Sequence, residues 1–91
     1  MFYVYILESR NDINLYVGYT QNLRKRLVEH NQGKVFSTKL YRPWRYIYIE
    51  GCLNQKDASR REYYLKTTQG RRMLKIRLKE YFYQKKGIKF G

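Results

Sequence analysis

Ninety-one residues carry twenty Lys and Arg against seven Asp and Glu, a formal net charge of +13, and 43% of the chain is hydrophobic. That length holds one domain, the hydrophobic share excludes a disordered tail, and a single cysteine excludes both a disulfide framework and a Cys/His zinc cluster. No apolar run approaches the roughly 20 residues of a membrane helix and no signal peptide stands at Met1, so the expected setting is a reducing cytoplasm with no membrane partner.

The elements follow in chain order. Phe2–Leu7, FYVYIL, is aromatic and β-branched and predicts a strand. The polar Glu8–Asn14, with its Asn11-Asp12 pair, reads as a turn, and Leu15–Tyr19, LYVGY, as the second strand of a hairpin. Thr20 is the candidate N-cap of a helix in which Leu23 and Leu27 recur at helical spacing, and which Asn31–Gly33 stops. Lys34–Arg42 is a basic loop containing Ser37, Thr38 and Lys39, ended by Pro43. Trp44–Glu50 sets Trp44, Tyr46, Tyr48 and Glu50 in alternation with Arg45, Ile47 and Ile49, the pattern of a third strand, with Cys52 a small hydrophobe beyond it.

Asn54, with Asp57 three residues on, resembles a capping box that has Asp in place of Glu, and opens a helix from about Gln55 to Lys66. Thr67–Gly70 reads as a break. A third helix is expected over Arg71–Tyr83, with Leu74, Leu78, Tyr81 and Phe82 on one stripe. Residues 1–83 then form the domain, and Gln84–Gly91 a basic, frayed tail. The expected architecture is a small α/β sandwich, a three-stranded, mostly antiparallel sheet flanked by about three helices.

Function shows where residues break these patterns. A charge of +13 on a chain this short attracts polyanions, and Lys and Arg on phosphates supply most sequence-independent nucleic-acid affinity. Glu62 shares the core-facing side of the second helix with Ala58 and Leu65. A carboxylate there is costly unless it is paired or bound to a metal, and the pattern leaves both open. Arg26 and His30 lie four residues apart beside the Leu23/Leu27 stripe. The guanidinium fork suits phosphate oxygens and the imidazole can donate or shuttle a proton. Equally, Arg26 can be a solvated neighbour of Arg24 and Lys25, and His30 a cation favoured by the helix C-terminus. Gly18 ends its strand just before a helix N-terminus, a place suited to a phosphate or, more simply, to a turn. Most of the eleven tyrosines belong to sheet and core, with a few left for function.

The order of these features resembles the GIY-YIG nuclease superfamily. Its first motif corresponds to Tyr3-Val4-Tyr5 and its second to Tyr16-Val17-Gly18; YVGYTQNLRKRLVEH resembles the helix segment whose arginine is Arg26, and DASRREYYLK the helix whose glutamate is Glu62. The small single-domain branch similar to the nuclease domain of the excision-repair excinuclease fits best, from Phe2 to about Leu78. The chain departs from the pattern at Tyr3, where the first motif has Gly, and twelve residues after Glu62, where Leu74 stands and no convincing Asn lies near.

The resemblance implies a DNA endonuclease of a structure-directed or repair-related kind, using one Mg²⁺ or Mn²⁺ held by Glu62 and completed by waters and a phosphate oxygen. Arg26 would neutralise charge on the phosphoryl group. Tyr5 would activate water, Tyr16 would orient the phosphate or share that role, and His30 would accept a proton. Gly18, Lys34, Lys39, Arg42 and Arg45 would contact the backbone of DNA, or of RNA, without reading bases. With no room for an attached recognition domain, specificity would come from DNA structure or a protein partner. The site is expected to set Glu62 across from Arg26, with space between for a cation and a phosphoryl group. Two rivals stand beside it: a non-catalytic nucleic-acid binder that keeps the fold, and an RNA-binding protein of ribosomal type, which explains the charge but not the motif order.

Overall fold

The computed structural model describes residues 1–11 and 14–90, with side chains through residue 85. Three strands, β1 (Phe2–Ser9), β2 (Leu15–Thr20) and β3 (Trp44–Cys52), and four helices, α1 (Leu23–Asn31), α2 (Gln55–Leu65), α3 (Thr68–Arg77) and α4 (Lys79–Phe90), follow in chain order. The sheet is antiparallel in the order β2-β1-β3, so both motif-bearing strands pair directly. The α/β class and the antiparallel sheet agree with the sequence; among the described residues there are four α-helices where about three are expected. Part of the Glu8–Asn14 turn, including Asp12, lies outside the described residues, and β1 continues through Glu8 and Ser9.

Each face of the sheet has its own core. Val4, Ile6 and Val17 point to one side and pack with Ala58, Leu65 and Leu74 of α2 and α3. Tyr5, Leu7 and Trp44 point to the other, under Leu23 and Leu27 of α1. Burying an Ile or Leu this fully contributes about 1.5–3 kcal/mol, so both helical layers are held mainly by apolar contact.

Four expectations shift, each for a physical reason. Tyr46 and Tyr48 do not share a face. A bulge between Ile6 and Leu7 sets Tyr48 opposite Ile6 and Tyr46 opposite Leu7, so Ile47 is the extra residue and the alternation breaks there. Tyr46 thereby joins the α1 side, where its hydroxyl donates to the Leu23 carbonyl at 2.6 Å. The cap of α1 is Asn22, whose side chain accepts from the Lys25 N–H at 3.0 Å; Thr20 instead accepts from the Asn22 N–H, forming the turn that leads in.

The Thr67–Gly70 break also contracts. Thr67 caps α3 by accepting from the Gly70 N–H at 3.1 Å, and Gly70 lies inside the first turn. A Cβ there would overlap the Tyr64 carbonyl and stand 2.7 Å from the Leu65 Cα, so glycine is needed for α3 to pack on the end of α2, not to stop a helix. Finally, the Arg71–Tyr83 helix is divided at Leu78, and residues 84–90 belong to α4. Beyond the division, α4 is tied to Glu8. Its carboxylate is buried on the α2 side of the sheet and accepts from Arg45 at 2.8 Å, from Tyr81 and from Lys85. Hydrogen bonds from Lys85, Tyr81 and Arg45 outweigh the opposing effect of burial and hold its pKa below the usual carboxylate range.

Candidate active site

Tyr5 organises the α1 face. Its ring is fully buried between Tyr46, at 5.3 Å centroid separation, and His30, at 5.8 Å. Its hydroxyl lies over Gly18, its cross-strand partner; a Cβ at Gly18 would come within 2.5 Å of the Tyr5 oxygen. The close approach that Gly18 permits is therefore made by Tyr5.

From Tyr5 a buried chain of hydrogen bonds runs inward. Thr38 Oγ1 donates to the Val35 carbonyl at 3.4 Å, which leaves its lone pairs to accept from His30 Nδ1–H at 2.8 Å. His30 Nε2 is then the unprotonated nitrogen and accepts from the Tyr5 hydroxyl, also at 2.8 Å. The Tyr5 oxygen accepts in turn from Arg26 Nε at 3.4 Å. Burial, reinforced by the Arg26 charge, pushes the His30 pKa down to about 4, so the ring is neutral at neutral pH. Burial pushes the Tyr5 phenol up to about 12 against the lowering effect of the Arg26 hydrogen bond.

Arg26 is fixed by these contacts. Nε is held by Tyr5 and one terminal nitrogen by Glu29 at 3.2 Å, while 34% of the side chain remains exposed. Tyr16 completes the group, its ring 5.1 Å from that of His30 and 6.4 Å from that of Tyr5. Among the described residues the Tyr16 hydroxyl has no protein hydrogen-bond partner, yet no buried polar side-chain atom is left unsatisfied. Its phenol therefore opens to solvent. Tyr5 was the expected water-activating phenol, but its hydroxyl is enclosed and already has two partners; the open one is Tyr16.

Arg26 and Glu62 are carried by different layers of the fold. The two core clusters place α1 and α2 on opposite faces of the sheet. Ala58 and Leu65 mark the line of α2 that meets the sheet, and Arg61 and Glu62 fall on either side of it. Arg61 leans to β3, pairing with Glu50 at 3.0 Å. Gln55, on Glu62's side of the helix, reaches Tyr19 of β2 at 3.3 Å. Glu62 thus flanks the free edge of the sheet along β2, the strand that carries Tyr16. The Glu62 side chain is 20% exposed, and among the described residues its ion pair is with Lys66 at 3.5 Å.

A lone half-buried carboxylate fits a hard divalent cation that keeps most of its waters, as Mg²⁺ does. Among the described residues no group of three or more His, Cys, Asp or Glu could hold a metal, so an all-protein cage is not what this donor set offers.

The basic residues divide. Lys34, Lys39 and Arg42 share the loop after α1, where Arg42 Nε donates to the Lys39 carbonyl at 2.7 Å and its guanidinium lies beside Gly33, whose φ of +78° turns the chain out of the helix. Arg45 is not with them: it projects to the α4 side and pairs with Glu8. Sequence reasoning missed two supports. Thr38 read as an ordinary loop hydroxyl but is fully buried under His30. Asn31 read as a stop signal but also clamps β3, donating to the Trp44 carbonyl at 3.1 Å and accepting from its N–H at 2.6 Å.

Comparison with known proteins gives the family. The family described as the GIY-YIG catalytic domain matches residues 1–76. The chain is 43% identical over 88 residues to a UPF0213 protein of Pediococcus pentosaceus, covering 96% of this chain and 85% of that one. It is 41% identical over 75 residues to one from Staphylococcus haemolyticus, covering 81% and 90%. A solution NMR structure of a UPF0213 protein from Bacillus halodurans is similar at 31% identity and a TM-score of 0.49, over 81% of this chain and 82% of that one. The chain belongs to the GIY-YIG family, a family of nucleases. Its curated relatives are small single-domain members.

Proposed function

We propose that this domain hydrolyses phosphodiester bonds in DNA with the help of one divalent cation, Mg²⁺ or Mn²⁺, in structure-directed or repair-related cleavage. The observation that supports it is the chain Arg26–Tyr5–His30–Thr38, in which three residues, Tyr5, His30 and Thr38, orient one guanidinium beside an open phenol. A surface that merely attracts DNA has no need of that orientation.

The substrate backbone lies along the β2 edge. Arg26 presents its remaining N–H groups to the phosphoryl oxygens, held still by Tyr5 and Glu29, so little reorganisation is required as charge develops. Tyr16, with its hydroxyl free, accepts a hydrogen bond from the attacking water and orients it, passing its own proton to solvent as it takes the water's. Tyr5 is a positioning residue, and neutral His30 keeps the Tyr5 proton pointing inward so that the phenol oxygen faces Arg26. Glu62 holds the cation from the far side of the same edge, and Lys66 yields it on binding. When bound, the cation neutralises charge on the phosphoryl group and its leaving oxygen.

Supercoiled, single-stranded and branched DNA, incubated with Mg²⁺ or Mn²⁺, tests the reading. Arg26→Ala and Glu62→Gln are each expected to lower cleavage by about 10²–10³-fold; activity surviving both would sink it. Mn²⁺ also reports geometry: bound at Glu62, it should broaden the NMR signals of Tyr16–Gly18 as well as those of α2. The Glu62–Lys66 pair favours a second reading, a binder in which Glu62 is only a helix ion pair. Calorimetry showing no Mn²⁺ uptake with DNA present would select it.

A further inference from the structure

The loop of residues 34–43 displays side chains that a domain of this size would otherwise bury. Phe36 is 82% exposed and Leu40 80%, and Tyr41 beside them is also exposed. The loop is nonetheless well anchored. Thr38, between the apolar residues, is fully buried; it bonds His30 through its hydroxyl and accepts from Trp44 Nε1 at 2.7 Å through its carbonyl. The Tyr41 N–H returns to the same carbonyl at 3.3 Å, and Arg42 fastens on Lys39. Phe36 is thus held out on a short, tied support, one bonded residue away from the Arg26–Tyr5–His30 chain.

Its surroundings are cationic. Lys34, Lys39 and Arg42 are exposed on the same loop, and Lys39 Nζ stands 4.8 Å from the Phe36 ring centroid. Phosphate attraction alone requires the cations but not an exposed ring. Pairing with a second copy would bring two such cationic loops together in a chain of net charge +13. An unpaired nucleotide satisfies both features at once, a π-face for the ring and a phosphate for the lysines.

We propose that Phe36 is a stacking platform for an unpaired base in the strand bound at the candidate active site, with Lys34, Lys39 and Arg42 on the flanking phosphates. The preferred partner is then DNA with unstacked bases beside the bound phosphate: a single strand, a flap or a bubble. This rests on the nucleic-acid part of the proposed function and not on cleavage.

Fluorescence anisotropy in EDTA, where no cutting occurs, tests it with labelled oligothymidine and a hairpin duplex of equal phosphate number. Phe36→Ala should weaken oligothymidine binding about ten-fold or more, as loss of one stacked base does. It should leave duplex binding within about two-fold and the salt dependence unchanged, because no phosphate contact is lost. Phe36→Trp should restore the single-strand affinity. The ring is exposed, so the melting temperature of Phe36→Ala should match that of the parent. Equal loss on both ligands, or none on either, overturns the proposal while leaving DNA binding intact. Failure of the parent to bind either ligand refutes the nucleic-acid reading and this one together. Sedimentation showing a dimer that Phe36→Ala dissolves would assign the loop to a second copy and likewise overturn it.

Discussion

Gly18→Ala tests the architecture of the candidate site most directly. The added methyl would lie 2.5 Å from the Tyr5 oxygen, 2.7 Å from its Cζ and 3.0 Å from Tyr16 Cε2. The Tyr5 ring cannot swing aside, because it is fully buried with Tyr46 and His30 against it. Overpacking of this kind costs about 1–3 kcal/mol, and displacing the hydroxyl from His30 forfeits about 0.5–1.5 kcal/mol more. For a domain of this size the sum, about 1.5–4.5 kcal/mol, corresponds to a fall in melting temperature of about 6–36 °C. Differential scanning calorimetry reads the fall. Adding Tyr5→Phe removes the nearest atom of the clash but not Cζ, so the double variant should be less destabilised than the two single effects added together. A Gly18→Ala melting temperature within a few degrees of the parent would refute the claim that Gly18 exists to admit Tyr5.

The remaining predictions concern the buried polar groups. Thr38→Val keeps the shape but removes the acceptor for His30 Nδ1, and should cost about 1–3 kcal/mol in urea denaturation, whereas Thr38→Ser should cost much less. His30 has a folded pKa of about 4 against an ordinary 6.5. Between those values the unfolded chain binds more protons, so stability should rise as pH goes from about 4 to 6.5; denaturation at the two ends should show the rise, and His30→Gln should remove it. The depressed pKa of Glu8 acts separately: its stabilisation is present above the ordinary carboxylate pKa and is lost as pH falls below it. Glu8→Gln should weaken the hold of Tyr81 and Lys85, so amide exchange should accelerate in α4 more than in α2.

Particular residues show where sequence reasoning reached and where it stopped. The strands were legible because aromatic and β-branched runs between polar turns leave little else for FYVYIL and LYVGY to do. The Ala58/Leu65 face of α2 was legible because helical periodicity is local, and both residues are buried. Arg26 and His30 stood out for the same reason, and both take part in one network. Three features had no local signal. The bulge that separates Tyr46 from Tyr48 depends on how β3 meets β1. Gly70 read as part of a break because its sequence neighbours cannot reveal that the Tyr64 carbonyl will press against it. The division at Leu78 precedes a helix whose Tyr81 and Lys85 bind Glu8, far away in the chain.

Membership of the GIY-YIG family and the antiparallel sheet were legible in short-range pattern, which the chain carries in its order of residue types, and the resemblance carried by that order named Tyr5, Tyr16, Arg26, His30 and Glu62 as candidate residues. Tertiary structure alone decided their surroundings. It enclosed Tyr5 and left Tyr16 open, and it put the helices of Arg26 and Glu62 on opposite faces of the sheet. It also drew Arg45 away to Glu8 and buried Thr38 beneath His30. The physical reason is that burial and hydrogen-bond partnership are properties of packed neighbours far apart in sequence, and a spacing rule cannot state which hydroxyl will be covered or which charge already has a partner.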